Sequence, residues 1–321
     1  VESGALKRLV PTEAEALGMV RAGVCGFILC EILTTSFRDL GRIPATLLHP
    51  PGVMKFLPWR FYDWLLTPGV MTAFKWLFAA SLLAATVGFL TRLSTKSSAL
   101  LFLFYEGLLR SITHFNHDEM PAIYILCVLA FTPCGDGFSL DALRARRRAS
   151  ANARADIIYG YPILLMRVLL AWSYFSSALI KLRVVGLGYL SPDNLPALAI
   201  ENSLDNLHAT HFRAAFWLPQ FRDYLPFALL SVLVWELSFP LAIWSRRARF
   251  LIPAAGVVFH LSTLVLMNIF FPYHLAMYLV FVDWPAVARK LERSESFIRA
   301  RGAVSGFRRR AGQKEGGKNF F

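Results

Sequence analysis

The residues most able to do chemistry in this chain are the ionisable side chains that fall inside apolar stretches. A charge in hydrocarbon is costly enough that its presence is a functional signal by default. The densest set is Glu106, Arg110, His114 and His117, whose spacing places them along one helical stripe. Glu106 and Arg110 lie one turn apart and can pair along the helix. His114 and His117 lie further on, in Thr113-His114-Phe115-Asn116-His117-Asp118-Glu119, and form a polar cluster at a helix end. Two histidines three positions apart beside carboxylates could hold a metal. No second pair of that kind occurs, and only His260, His274 and the loop histidines could complete a ligand set, so no metal site is expected.

Arg167, Tyr174 and Lys181 recur at intervals of seven and so share one face of a second helix. Lys181 has two readings. It can snorkel to the membrane interface, or it can sit in a dry pocket where lost hydration favours the neutral amine and makes it a base. His260 lies within an apolar run and must find a partner. Glu236 is similarly placed, and Pro240 beside it leaves a backbone carbonyl unpaired. Arg21 and Glu31 are further polar positions in the first apolar run, and Arg21 is expected to pair with an acidic neighbour. The sequence has no Gly-rich phosphate loop, nucleophile elbow or Ser-His-Asp order, which leaves hydrolase and nucleotide chemistry without support.

These residues need elements to position them. Of 321 residues 56% are hydrophobic and 17% charged, against about 45–50% and about 25% in soluble domains. That excess points to an all-α, polytopic transmembrane helix bundle. About eight spans are expected, near 16–36, 69–90, 97–114, 119–133, 161–181, 225–244, 250–271 and 273–284. The first run is long enough to cross and is not followed by a small-residue cleavage pattern, so it is read as the first span. The expected divisions are a cytoplasmic segment 1–15, a transmembrane domain 16–290, and a basic, disordered cytoplasmic tail 291–321 drawn to anionic lipid.

Charge sets the orientation. The net charge is +13, concentrated in short blocks between apolar runs: Arg92 and Lys96, Arg144 to Arg148, Arg246 to Arg249, and the tail. By the positive-inside rule both termini are cytoplasmic. No basic patch is interleaved with stacking aromatics, so nucleic acid is not an expected partner. The opposite side receives two long segments, 37–68 and 182–224, rich in proline and aromatic residues. The first holds Trp59-Arg60-Phe61-Tyr62-Asp63-Trp64, which reads as an interfacial belt or a short helix lying on the membrane. The second is read as a lid, a re-entrant segment or a plain connection. Cys25, Cys30, Cys127 and Cys134 have neither a metal nor a redox spacing and read as small apolar thiols.

Four segments together resemble the horizontally transferred transmembrane (HTTM) family, whose best-known relative is vitamin K-dependent γ-glutamyl carboxylase. They are Val20-Arg21-Ala22-Gly23; Phe115-Asn116-His117 with Phe138-Ser139-Leu140-Asp141; the run from Tyr174 to Lys181-Leu182; and Trp235-Glu236-Leu237 with Gly256 to His260 and Phe270-Phe271-Pro272. The likeness spans roughly residues 16–290. It departs after Leu182, where the family's acidic residue and tryptophan are replaced by Arg183-Val184-Val185, and nothing resembles the carboxylase's large extramembrane domain.

The resemblance implies a membrane enzyme acting at the external face, with Lys181 as the base and Asn116, His117 and His260 as its catalytic partners. Arg110, His114, Tyr174 and Glu236 are the candidates to line a cofactor site. It implies a reduced, vitamin K-like quinone with O2 and CO2 as cofactor and co-substrates, lyase or oxygenase chemistry, a bacterial inner-membrane location, and an exported peptide or protein as substrate. The alternative is a non-catalytic membrane component that helps mature or export a peptide, or binds a partner protein.

Overall fold

The computed structural model describes residues 14–112, 118–145, 153–205 and 213–287. The expected N-terminal segment, most of the Arg144–Arg148 block, the basic tail, and the site candidates His114, Asn116 and His117 lie outside the described residues. The chain divides into two compact units, 1–282 and 283–321. Of the second, the described residues 284–287 are helical, with Asp283 before them accepting at Oδ1 from the Ala286 amide at 3.1 Å.

All the regular elements among the described residues of the first unit are helical, with no strand among them. Its principal helices are α1 (Ala14–Thr34), α2 (Pro68–Val87), α3 (Thr91–Ile112), α4 (Met120–Ala130), α5 (Ala153–Val184), α6 (Leu225–Ser238), α7 (Arg246–Met267) and α8 (Pro272–Met277). Local chemistry fixes several of their ends. Pro68 occupies the first turn of α2, where its missing N–H costs nothing. Gly88 ends that helix with φ 70°, a left-handed conformation suited to glycine. Ser245 caps α7 by accepting from the Ala248 amide, and Asn268 closes it at φ 56°.

Among the described residues, four helices are long and apolar enough to cross a membrane: α1, α2, Ile158–Val184 of α5, and α7. At about 1.5 Å per residue, the 21 residues of α1 match a hydrocarbon core of about 30 Å. The other expected spans differ for identifiable reasons. The 22 residues of α3 suffice in length, but Arg92, Lys96, Glu106 and Arg110 make it too polar, and the first two turns of its buried face are Thr91, Ser94, Thr95 and Ser98. Helix α4 has only 11 residues. The 225–244 segment is divided at Pro240 into α6 and a single turn, Leu241–Trp244. The last expected span is α8 followed by a 3-10 turn, Tyr278–Phe281.

One end of the bundle is held by Arg21. Its side chain is fully buried and donates to the carbonyls of Cys134 (2.8 Å), Phe138 (2.6 Å) and Thr86 (3.5 Å). The expected acidic partner is thus replaced by three backbone acceptors, which otherwise would face the interior unpaired. Beside it Asp141 caps α3, accepting from the amides of Leu90 (3.1 Å) and Thr91 (2.7 Å) and from the Thr91 hydroxyl (2.8 Å). Ser139 caps the short helix Leu140–Arg144 through the Ala142 amide. The Ser139/Asp141 pair of the family-like segment therefore fastens the 134–145 loop to the start of α3.

At the other end, Lys75 donates to the carbonyls of Leu33 and Thr35, and the His49 amide to Ser111. The 37–67 segment forms 3-10 turns and a short helix, Trp59–Leu65, with Tyr62 buried and Trp59 and Trp64 exposed. That division of its aromatics fits the expected interfacial helix. In the 182–224 segment, helix Asn194–Asp205 and the 3-10 run Ala214–Tyr224 pack through Ala199, Ala215 and Leu218. Arg222 clasps Asp193 with two bonds, at 2.8 and 2.7 Å.

Candidate functional site

Besides the Arg21 group, two polar groups built from residues remote in sequence stand out among the described residues. The first joins α5, α6, α7 and the 3-10 turn Tyr278–Phe281. Tyr174, Ser177 and Lys181 follow one another along α5 at helical spacing and face α6. Lys181 Nζ donates to both carboxylate oxygens of Glu236, at 2.5 and 2.7 Å, and Ser177 Oγ donates to one of them at 3.3 Å. Glu236 is 5% exposed and Lys181 27% exposed at the side chain. The lysine therefore points back into the protein rather than out to the interface. Tyr189, from the 3-10 turn Gly186–Leu190, places its ring 5.5 Å from Nζ.

One turn below, the Tyr174 hydroxyl shares hydrogen bonds with His260 Nε2 (2.8 Å) and with the Tyr278 hydroxyl (2.7 Å). All three residues are buried. Aromatic packing fixes them: Tyr174 stacks on Phe239 at 4.0 Å, while Trp235, Phe259 and Phe271 surround His260. A small residue makes the close approach feasible. A Cβ at Gly256 would lie 2.2 Å from the Tyr278 hydroxyl and 2.9 Å from the Trp235 ring. His260 Nδ1 is buried and has no hydrogen-bond partner among the described residues.

The second group joins α1, α3, the start of α4, and α8. It contains Glu31, Tyr105, Glu106, Arg110, Asp118, Glu119, Tyr273 and His274. His274 Nδ1 bonds Asp118 Oδ1 at 2.6 Å, and Arg110 pairs with Glu119 at 3.7 Å. Arg110 thus reaches across to α4's entry rather than along its own helix to Glu106. The His274 ring lies 5.3 Å from His260 and 5.5 Å from Tyr174, which brings the two groups together.

These contacts belong to a chain whose residues 9–284 match the family model described as the HTTM domain. The chain belongs to the HTTM family. No curated protein and no solved structure matches it.

In this HTTM chain, the expected site residues separate into three sets. Lys181, Glu236, Tyr174 and His260 come together on α5, α6 and α7. Arg110 joins the acidic group. His114, Asn116 and His117 fall outside the described residues, immediately before Asp118. Sequence reasoning missed Tyr278, which completes the Tyr174 hydrogen bonds, and the Asp118–His274 pair. The signal was present: His274 and Tyr278 lie one turn apart in an otherwise apolar stretch, where each polar group needs a partner. No group of three or more His, Cys, Asp or Glu among the described residues has metal-binding geometry.

Proposed function

We propose that this HTTM protein is a membrane enzyme that removes a proton from a lipophilic substrate at the Lys181–Glu236 and Tyr174–His260 site. The observation that carries the reading is the convergence of a lysine, a carboxylate and a partly unsatisfied histidine within one apolar ring cluster. Such groups are expensive in a membrane interior unless they serve a function.

A reduced quinone fits these residues. A flat aromatic ligand suits the walls formed by Phe259, Phe271 and Trp235, and His260 Nδ1 is a buried hydrogen-bonding atom without a partner. When bound, such a quinone would supply a weakly acidic hydroxyl and reducing electrons for O2, with CO2 as a further co-substrate.

The chain's own residues have distinct tasks. Lys181 is the base: one of its protons passes along the existing bond to Glu236, and the neutral Nζ then takes the proton of the substrate hydroxyl, leaving the substrate as the anion. Glu236 keeps the proton that Lys181 gave up, so the Lys181 cation formed in the transfer pairs with the substrate anion. Tyr174 and Tyr278 hold the His260 ring so that Nδ1 faces the ligand. His117 and Asn116, a few residues before the Asp118–His274 pair, would steady developing negative charge on oxygen. Arg110 and His114 would border the cofactor on that side. Tyr189 covers Lys181 from the 182–224 segment.

The same reading includes about eight membrane crossings, with α3, α4, α6 and α8 completing the bundle, both termini cytoplasmic, and a bacterial inner-membrane location. The basic blocks at Arg92 and Lys96 and at Arg246 to Arg249 support that orientation. The residue range 16–290 is the transmembrane domain in this scheme. An exported peptide or protein is the proposed final substrate.

Oxygen uptake by the purified chain in liposomes, supplied with a reduced naphthoquinone and bicarbonate, tests the reading. Quinol-dependent uptake above that of empty liposomes is expected, and its absence counts against an enzyme. A second reading is a non-catalytic partner-binding component for peptide maturation or export. The exposed Trp217, Phe221 and Tyr224 on the 214–224 run favour it. In that case, substitutions on this run would abolish partner capture while Lys181 variants remain functional.

A further inference from the structure

The acidic group between α1, α3 and α8 contains more negative charge than its cations balance. Asp118 is paired with His274, and Glu119 with Arg110. That leaves Glu31 on α1 and Glu106 on α3, together with the neutral phenol of Tyr273 on α8. Glu106 and Tyr273 are each only 2% exposed. Glu106 Oε1, Glu31 Oε2 and the Tyr273 hydroxyl are buried and, among the described residues, lack a partner in strict hydrogen-bond geometry, although Tyr273 stands near enough to Glu31 to interact with its carboxylate. The three residues act on one another electrostatically, so they lie near one another on three helices.

Among the described residues, the surrounding charges do not supply a further cation. The groups acting on Glu106 are Glu119, Arg110, Glu31 and Asp118. Those acting on Glu31 are Tyr273, Asp118 and Glu119. Tyr105, the neighbour of Glu106 on α3, adds only another phenol. Helix α2, packed against α1 and α3, contributes Lys75, but its ammonium is held by the Leu33 and Thr35 carbonyls. Two like charges adjacent in a dry site cannot both be maintained; one carboxyl takes up a proton.

We propose that Glu31, Glu106 and Tyr273 form a proton-binding site, a carboxyl pair holding one exchangeable proton with the Tyr273 phenol beside it. The site adjoins the Asp118–His274 pair, and through the His274 ring it reaches His260 and Tyr174. It therefore lies beside the ring cluster, with which it would exchange protons through Asp118 and His274. That use rests on the function proposed above; the existence of the bound proton does not.

Infrared difference spectroscopy of the full chain in lipid nanodiscs tests the site without any substrate. At neutral pH the wild-type chain is expected to show a protonated-carboxyl C=O band that shifts in D2O. The band is lost on raising the pH. Glu106→Gln and Glu31→Gln, which preserve side-chain shape, are each expected to remove or displace it while the protein remains monodisperse. A band unchanged in both variants, or none at neutral pH in wild type, overturns the proposal. Loss of the band on adding NaCl or CaCl2 at fixed pH also overturns it, because the site would then hold a metal cation. A band present in a chain without quinol-dependent oxygen uptake upholds the proton site and counts only against the enzyme reading.

Discussion

Lys181 and Glu236 are the residues on which the proposed chemistry depends, and their pairing constrains what each can do. A part-buried ammonium held between two carboxylate oxygens does not wander to the membrane surface, so it is positioned even without substrate. Removing one member of the pair leaves the other charge poorly compensated, the costly outcome for a buried ion pair. Glu236→Ala is accordingly expected to lower stability by about 2–3 kcal/mol, below the range for fully buried pairs because Lys181 retains some exposure. Chemical or thermal unfolding in detergent would measure it; an unaltered midpoint would show that the pair contributes no net stability. Tyr174 makes a different kind of contribution. Its hydroxyl, bonded to both His260 and Tyr278, orients the imidazole without being placed to react.

At the scale of elements, the caps and close approaches determine whether the site can form at all. Gly256 allows α7 to approach the Tyr278 hydroxyl, so Gly256→Ala must displace that tyrosine or the helix. Its expected effect is a destabilisation of about 1–3 kcal/mol from overpacking, with a larger proportional loss of any activity that depends on His260 orientation. Activity and melting temperature measured on the same preparation would separate the two effects; a fully active, fully stable variant would contradict the close packing. Asp141 fastens the start of α3 outside the apolar segments. Partial burial pushes its carboxyl up, but the Thr91 amide and hydroxyl, the Leu90 amide and the nearby Arg144 charge together bring it below its ordinary value of 3.8. A depressed folded-state value means the stabilisation is present above the ordinary carboxylate range and is lost as pH falls through the lower, folded value. Melting temperatures should therefore fall in that acid window for the wild type and less steeply for Asp141→Asn. The variant should also be less stable near neutrality, by about 1 kcal/mol for a weakened cap. Equal acid slopes for the two proteins would remove Asp141 from the account.

At the scale of the molecule, the membrane class and much of the site were legible because both depend on the cost of polarity in hydrocarbon. Tyr174, Lys181, Glu236 and His260 stood out as expensive residues in apolar runs, and all four meet. Their pairing was not legible. Lys181 and Glu236 are 55 positions apart, and Tyr174 and His260 are 86 apart; no helical period relates such positions. Arg21 was noticed for the same reason, but backbone carbonyls exposed by the 134–138 loop became its partners, and loop geometry leaves little trace in composition. The short elements were hardest to place. Pro240 and the 3-10 turn at Tyr278–Phe281 interrupt runs whose hydropathy alone reads as continuous. Orientation follows from charge and is testable directly. In a background lacking native cysteines, Leu187→Cys should react with a membrane-impermeant maleimide in intact cells, and Arg247→Cys only after permeabilisation. The reverse pattern would invert the proposed topology.

The proposed chemistry is decided most directly at Lys181. Lys181→Ala, reconstituted at matched protein and lipid and checked for an unchanged helical spectrum, should lose quinol-dependent oxygen uptake to the level of empty liposomes. Lys181→Ala with wild-type uptake would contradict the account: Lys181 would then be a structural partner of Glu236 and not the base.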